Sequence, residues 1–283
     1  MQLTPEQVKG RIKNVAKENK ADARTLMRIY MMERFLERVA SSQYKDNFII
    51  KGGMLVTAMV GVALRSTMDI DTSIKNQNLS AEDARRIVDE IKDIDLGDGV
   101  TFEVKEVSNI MDEMEYPGIR FTMNAVMGKL VTPMKIDIST GDVITPRAIQ
   151  YEYKLMFEDR SISVLTYNIE TLLAEKMQTI LVRGIANTRM RDFYDVYEIL
   201  KVNSVQVDEE VLKRAFEATC VKRNTILNKI IIKNVLVDIG KDVGLQELWG
   251  RFRDKYYFVQ DLEWDGVCTF VVNEIETLLV SEN

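Results

Sequence analysis

Histidine is absent from this chain of 283 residues. Its absence excludes histidine-based general acid–base catalysis, the Ser–His and Cys–His nucleophile pairs, and every zinc site that needs an imidazole ligand. Any catalysis must therefore use carboxylates, lysine, tyrosine or a metal ion held by oxygen ligands. Among metal ions, a cluster of carboxylates favours hard cations such as Mg²⁺.

Cysteine and long apolar runs are also scarce. Cys220 and Cys268 are too few for a disulfide framework and lack metal-ligand spacing, so we expect two buried thiols in a reducing cytoplasm. The longest apolar-leaning run, residues 54–64, is too short to span a bilayer, and the N-terminus lacks the apolar core of a secretion signal. The sequence therefore predicts a cytoplasmic protein without a membrane segment.

Proline occurs four times, and the last is Pro146. We therefore expect strands, turns and helices in the first half and mainly helices in the second. The net charge of −6 excludes a basic field over the whole protein but not a local basic patch. Periodicity and turn residues predict strands at 47–50, 66–74, 101–107, 118–127, 132–139 and 161–165, and helices at 5–18, 22–42, 54–62, 81–94, 168–183, 190–201, 208–222, 224–238, 244–256 and 268–281.

A pair of aspartates is the first chemical signal. On a strand over 66–74, Asp69 and Asp71 point to one face while Ile70 points to the core. Adjacent carboxylates repel each other unless a cation sits between them, and a divalent ion there would also bind nucleotide phosphates. The alternative is an exposed edge strand with two surface aspartates.

Other residues strengthen the metal interpretation. Gly52 and Gly53 lie between a strand and a helix, where bare backbone N–H groups can approach phosphate oxygens. Asp137 projects from the strand 132–139, opposite its isoleucine neighbours, so the two strands together could hold two metal ions. Asp137 could equally be an exposed residue on a half-buried strand. Further donors for anionic oxygens are Lys51, Arg65, Ser66 and Thr67.

Two cations fall on the apolar face of the helix predicted at 168–183. Lys176 and Arg183 lie near the middle of that face, about 20° apart at the helical period. Long cations seldom lie in an inward stripe unless they snorkel or have anionic partners. We therefore expect both to face phosphate or the carboxylate cluster; the alternative is two snorkelling side chains. On the next helix, Asp192 borders the buried stripe and Asp195 lies farther toward solvent, so Asp192 is the better site candidate.

Five segments occur in a fixed order between about residues 47 and 200. They are Lys51-Gly52-Gly53, Arg65-Ser66-Thr67-Met68-Asp69-Ile70-Asp71, Lys135-Ile136-Asp137-Ile138, residues 167–176 with Arg183 seven residues later, and Arg191-Asp192-Phe193-Tyr194-Asp195. In this order they resemble the nucleotidyltransferase toxins of the AbiE phage-resistance systems, the AbiEii/AbiGii family. Residues after about 205 match no motif of that family.

The resemblance implies an α+β protein in which a polymerase-beta-like nucleotidyltransferase core with a mixed sheet precedes a mainly helical C-terminal domain. We accordingly expect domains at 1–165 and 166–283, the second contributing Lys176 and Asp192 to the site. It implies the toxin of a bacterial abortive-infection toxin–antitoxin pair, which transfers a nucleoside monophosphate from a nucleoside triphosphate to an acceptor such as transfer RNA. A cognate antitoxin is implied, but direct contact with it is not.

The resemblance also implies residue roles. Asp69, Asp71 and Asp137 would hold Mg²⁺ or Mn²⁺. Lys176 would contact the triphosphate, and Asp192 would be a catalytic or orienting carboxylate. The other expected nucleotide-binding residues are Gly52, Gly53, Arg65, Ser66 and Arg183.

Three other classes compete with this interpretation. Residues 69–73 resemble the D-x-D-x-T of haloacid-dehalogenase-like phosphatases, but that motif needs an apolar strand directly before it, where Arg65-Ser66-Thr67 stands. A D-x-D glycosyltransferase leaves Lys176 and Arg183 unexplained. The remaining alternative is a non-catalytic nucleotide-sensing or partner-binding module on a transferase scaffold, against which the intact carboxylates argue.

Overall fold

The computed structural model describes residues 3–61, 67, 69–75, 80–110, 118–202 and 205–280. The chain forms two compact units. One, here called the sheet unit, comprises Met1–Asp142 and Ala148–Tyr167. The other, the helical unit, comprises Val143–Arg147 and Asn168–Asn283.

A mixed β-sheet forms the framework of the sheet unit. Its strands among the described residues are β1 (Phe48–Lys51), β2 (Asp69–Ile74), β3 (Val100–Ile110), β4 (Gly118–Met127), β5 (Leu130–Thr140), β6 (Ile149–Lys154) and β7 (Ser161–Thr166). They lie in the order β3-β4-β5-β2-β1-β7-β6. β2 is parallel to β5 and antiparallel to β1. The predicted α+β class with a mixed sheet is confirmed.

The helices described in the sheet unit are α1 (Pro5–Glu18), α2 (Ala23–Ser41), α3 (Gly52–Val60) and α4 (Ala81–Lys92). Local capping explains where three of them begin. Thr4 and Gln7 form a reciprocal capping box before α1, Asp22 accepts the N–H of Thr25 before α2, and Ser80 accepts the N–H of Asp83 before α4. The apolar faces of α1, α2 and α4 join the inward side chains of the strands in one core.

The helical unit contains α5 (Ile169–Arg183), α6 (Met190–Tyr197), α7 (Glu209–Lys222), α8 (Lys229–Lys241), α9 (Val243–Lys255) and α10 (Trp264–Leu279). A π-helical turn, Glu198–Val202, continues α6. Both cysteines of the chain lie in this unit, where they are buried and free. No helix among the described residues is long and apolar enough to cross a membrane.

Several element boundaries differ from the sequence-based prediction. β6 was not predicted, because this edge strand buries only Tyr153 and therefore shows little apolar alternation. α8 begins at Lys229 rather than near 224, because Asn228 caps it and Asn224 takes a positive φ after α7. α3 begins at Gly52, two residues earlier than predicted, so the glycine pair forms its first turn.

Candidate functional site

Strand β2 presents a pair of aspartates at the middle of the sheet. Asp69 and Asp71 are half-buried on one face, and Ile70 between them is fully buried in the core behind. This follows from strand geometry, since side chains alternate between the two faces. The two carboxylates therefore occur side by side, as the sequence predicts.

The neighbouring strand adds the third predicted carboxylate. β5 runs parallel to β2, and the pairing register places Asp137 directly beside Asp71 and Lys135 beside Asp69. Asp137 is buried, with only 4% of its surface exposed. An exposed position for Asp137, the alternative left open by the sequence, is therefore wrong.

The electrostatics of β2 record this crowding of negative charge. Burial raises the pKa of Asp69 and of Asp71, and the adjacent Asp137 raises both pKa values further. Lys135 acts in the opposite direction at Asp69, and Lys51 does so at Asp71, but neither reverses the shift. Within the described part of the chain, nearby cations offset only part of the effect of burial and of the neighbouring carboxylates at Asp69 and Asp71, as expected for groups that bind a hard metal ion.

The third carboxylate has a different partner. The guanidinium of Arg120, on β4, donates from Nε to Asp137 Oδ1 at 2.8 Å and from Nη2 to Oδ2 at 2.7 Å. Across the described part of the chain, no three acidic or cysteine side chains are grouped so as to hold a metal ion. Asp69 and Asp71 suit a hard cation, and both oxygens of Asp137, the third predicted ligand, accept hydrogen bonds from Arg120. The metal-binding role of the three aspartates stays a prediction.

The glycine pair lies against this cluster. Gly52 has φ +60°, and a Cβ placed on it would collide with Asp71 Oδ2. The N–H of Gly53 donates to the same oxygen at 3.4 Å. Only glycine allows the first turn of α3 to approach the carboxylate so closely. In the structure, these two glycines therefore contact Asp71. That they also bind phosphate stays a prediction.

Lys51 and Asp142 form a buried ion pair that the sequence analysis missed. Lys51 Nζ lies 2.6 Å from Asp142 Oδ2, which also accepts the hydroxyl of Ser139 at 2.7 Å. Burial alone would raise the pKa of Asp142, but Lys51 and the serine hydroxyls hold it below the usual value. Lys51 is thus committed to Asp142 as well as lying beside Asp71. A possible signal was the position of Asp142 just after Gly141, at the end of β5.

The helical unit contains a second cluster. Lys176, on α5, is buried, and its Nζ contacts Asp195 Oδ2 at 2.6 Å and Asp192 Oδ1 at 3.2 Å. Arg189 reaches Asp192 Oδ2 at 3.0 Å. The inward placement of Lys176 was predicted, and its partners are carboxylates of α6. Whether it also binds phosphate stays a prediction.

Two placements predicted for this unit are wrong. Arg183 is exposed rather than inward, because it is the last residue of α5, where the apolar stripe ends. Asp195 is fully buried rather than turned to solvent. The helical phase was misleading there because almost every residue of α6 is buried, so that this helix has no solvent face.

Glu198, which begins the π-helical turn after α6, is another acidic residue that the sequence analysis missed. Burial raises its pKa to about 7, and Asp195 contributes in the same direction. π-Helical turns are often found at functional sites. Glu198 is therefore a third buried acid at the Lys176 cluster, after Asp192 and Asp195.

The remaining nucleotide-binding residues predicted from the sequence, Arg65 and Ser66, lie outside the described residues. The acidic cluster Asp69, Asp71 and Asp137 belongs to the sheet unit, and the Lys176 cluster belongs to the helical unit. Each cluster is thus a property of its own unit.

The chain is similar to one protein family and to several solved structures. The family model described as "Nucleotidyl transferase AbiEii toxin, Type IV TA system" matches residues 34–270. Among solved structures, MenT4, a nucleotidyltransferase toxin from Mycobacterium tuberculosis H37Rv, is similar with a TM-score of 0.58 and 16% identity, covering 95% of this chain and 99% of that chain. JHP933 from Helicobacter pylori matches with a TM-score of 0.47 and 16% identity, covering 89% and 94%. No curated protein sequence matches the chain.

Proposed function

The chain belongs to the AbiEii nucleotidyltransferase toxin family of type IV toxin–antitoxin systems, and from this premise we propose that it transfers a nucleoside monophosphate from a nucleoside triphosphate to RNA, with transfer RNA as the first acceptor to test. The acceptor hydroxyl bonds to the α-phosphorus, pyrophosphate leaves, and the hydroxyl proton passes to a carboxylate or to water. The reaction takes place in the cytoplasm and serves abortive infection.

One observation carries this proposal. Asp69 and Asp71 share a face of β2 with raised pKa values, and Asp137 lies beside Asp71 on the parallel strand β5. Burying like charges together is unfavourable, so such a cluster is typical of a site whose ligand supplies the missing positive charge. A structural role would be met more stably by uncharged side chains.

Asp69 and Asp71 are the proposed ligands of Mg²⁺ or Mn²⁺. Bound there, the ion would withdraw charge from the phosphate oxygens and stabilise the leaving pyrophosphate. Gly53 already directs its N–H toward this face, and Arg65 and Ser66 are proposed to add donors to the phosphates. The helical unit is proposed to contribute Lys176 as a ligand of the triphosphate and Asp192 as a carboxylate that orients it. These two roles are supported by the family motif and by their mutual contact.

The test is transfer of label to RNA. The protein is incubated with each of the four labelled nucleoside triphosphates and total RNA, with Mg²⁺, with Mn²⁺, or with excess chelator. We expect label on RNA with one or two of the nucleotides and none with the chelator. Separation of the RNA by size then shows whether transfer RNA carries the label.

Asp71→Ala should abolish both transfer and toxicity, whereas Glu152→Ala should leave them unchanged. Glu152 is the matched control because it is an exposed carboxylate on strand β6 of the same sheet. Full transfer by Asp71→Ala, or in excess chelator, would contradict the metal-site proposal. Binding of a nucleotide without transfer to any acceptor would favour the non-catalytic sensing module instead.

A further inference from the structure

The contact between Arg120 and Asp137 has an unusual place in the sheet. The two residues are directly opposed in the antiparallel pairing of β4 with β5, and Asp137 is in turn beside Asp71 in the pairing of β5 with β2. The guanidinium therefore lies in the row of charged side chains that runs across the three strands, within the acidic cluster itself.

The geometry of this contact is that of a stable pair. Two parallel N–H···O bonds of 2.8 and 2.7 Å engage both oxygens of Asp137, which is buried. Such fork-shaped pairs are stronger and more directional than single contacts, and an arginine retains its charge at any ordinary pH. Asp137 is thus already supplied with a cation, which distinguishes it from Asp69 and Asp71.

Arg120 also influences Asp69. Burial and Asp137 raise the pKa of Asp69, whereas the positive charge of Arg120 lowers it. A second divalent ion at Asp137 would have to displace this guanidinium or lie against it. Two positive groups at such short range repel each other, and the fork would have to be opened first.

We propose that Arg120 takes the place of one of the two metal ions that three clustered carboxylates could hold, so that the chain binds a single divalent ion, at Asp69 and Asp71. This inference rests on the proposed metal site at those two residues. In it, Arg120 is a positioning residue, which keeps Asp137 charged and fixed in direction. The sequence-based expectation of three carboxylate ligands is replaced by a pair of ligands and a fixed guanidinium.

The test counts Mn²⁺ ions on the full chain, without nucleotide, by the electron paramagnetic resonance signal of free Mn²⁺ and by calorimetry. We expect one ion per chain. Asp69→Asn should weaken its binding at least tenfold, whereas Asp137→Asn should change it less than threefold. Arg120→Ala should admit a second ion or tighten binding at least tenfold. Arg86→Ala is the matched control, because it removes an exposed arginine of α4 whose ion pairs are with Asp83 and Glu90 of the same helix.

Thermal melting and circular dichroism check that each variant is folded. If Arg120→Ala does not fold, the Asp69→Asn and Asp137→Asn pair still decides the question. Two ions on the wild-type chain, or equal losses in those two variants, would overturn the role of Arg120 while leaving the metal site and the transfer reaction intact. No Mn²⁺ binding by the wild-type chain would overturn the proposed metal site together with this inference.

Discussion

The two charged clusters of this protein are built on opposite principles. In the sheet unit, Arg120 forms an ion pair with Asp137, and Asp69 and Asp71 lie beside that pair with raised pKa values. In the helical unit, Asp192 and Asp195 are matched by the ammonium of Lys176 and the guanidinium of Arg189. Among the described residues, each aspartate of the second cluster has a cation in ion-pair contact, whereas in the first cluster only Asp137 has one.

This contrast separates two uses of buried charge. In a balanced cluster each buried charge lies against an opposite charge, so removing one member leaves its partner buried without that compensation. In an unbalanced cluster the like charges repel one another. Removing one of them reduces this repulsion, but it also removes a group that could bind a ligand. Neutralising substitutions should therefore have opposite effects on stability in the two units.

The largest effect is expected from Asp71→Asn. Transfer should fall by at least about a hundredfold, because a proposed metal ligand is lost. The midpoint of thermal unfolding should stay the same or rise, because burial and Asp137 raise the pKa of Asp71 and the neutral amide no longer repels Asp137. Activity and calorimetric melting of the same preparation test both parts. A clear loss of stability would show that Asp71 is mainly a structural acceptor for the N–H of Gly53.

Lys176→Met should behave in the opposite way. It leaves Asp192 and Asp195 buried without their lysine, so the free energy of unfolding should fall by about 3–5 kcal/mol. Binding of the nucleotide with Mg²⁺ should weaken by about tenfold or more, the usual cost of losing a charged hydrogen bond.

The matched control for Lys176→Met is Lys233→Met, an exposed lysine on α8 of the same unit. Denaturant unfolding and calorimetric titration provide the two readouts. Unchanged nucleotide affinity in a folded Lys176→Met protein would leave Lys176 with a structural role only.

Asp192→Ala and Asp195→Ala divide the balanced cluster. Asp195 is fully buried and makes the shorter contact with Lys176, 2.6 Å against 3.2 Å. We expect Asp195→Ala to be the less stable variant, with a loss of about 1–3 kcal/mol in the free energy of unfolding. In that variant the longer contact with Asp192 is all that Lys176 keeps of the two. Asp192→Ala should stay folded and lose transfer. If Asp195→Ala is the folded and inactive variant, the roles of the two aspartates are exchanged.

The smallest effect on activity is expected from Glu33→Gln, which removes the contribution of Glu33 to the pH dependence of stability. Burial raises the pKa of Glu33, in the sheet unit, to about 8. Between the unfolded pKa near 4.5 and the folded value near 8, the native state holds more protons. Stability contributed by protonated Glu33 is therefore lost as the pH rises through that window.

Glu33→Gln should make the melting midpoint less dependent on pH between about 5 and 8. Transfer should stay within about twofold, because the hydrogen bonds of Glu33 are with Tyr153 and Met156 rather than with a proposed site residue. Melting curves at several pH values test this expectation. An equally steep pH dependence in the variant would assign the slope to Asp69, Asp71 or Glu198 instead.

The sequence predicted the strands that alternate strongly and the side of the sheet on which Asp69 and Asp71 lie. Periodicity on one element gives a residue's direction, and this was enough for Lys176. It was not enough for Asp195, because α6 is buried on nearly all sides, nor for Arg183, because a helix end lies beyond the stripe. Direction alone does not show which partner a buried charge meets.

Arg120 could have been found from the sequence. The two-residue turn Gly128-Lys129 pairs Met127 with Leu130, and the same register then places Arg120 opposite Asp137. A short hairpin turn fixes the register of its strands, so the partner across the hairpin follows by counting. The pair Lys51–Asp142 could not be found in this way, because it joins segments 91 residues apart along the chain.

The path of the chain between its two units restricts how the protein can be made or cut. Residues Val143–Arg147 belong to the helical unit, yet β6 and β7 follow them and belong to the sheet unit. Thr145 is tied to the start of α5, since its carbonyl accepts Asn168 Nδ2 at 2.8 Å and its N–H donates to Thr171 Oγ1 at 3.1 Å. During synthesis, the ribosome therefore delivers a piece of the helical unit before the sheet has its last two strands. A single proteolytic cut after Tyr167 keeps the sheet unit whole but separates the helical unit from its residues Val143–Arg147.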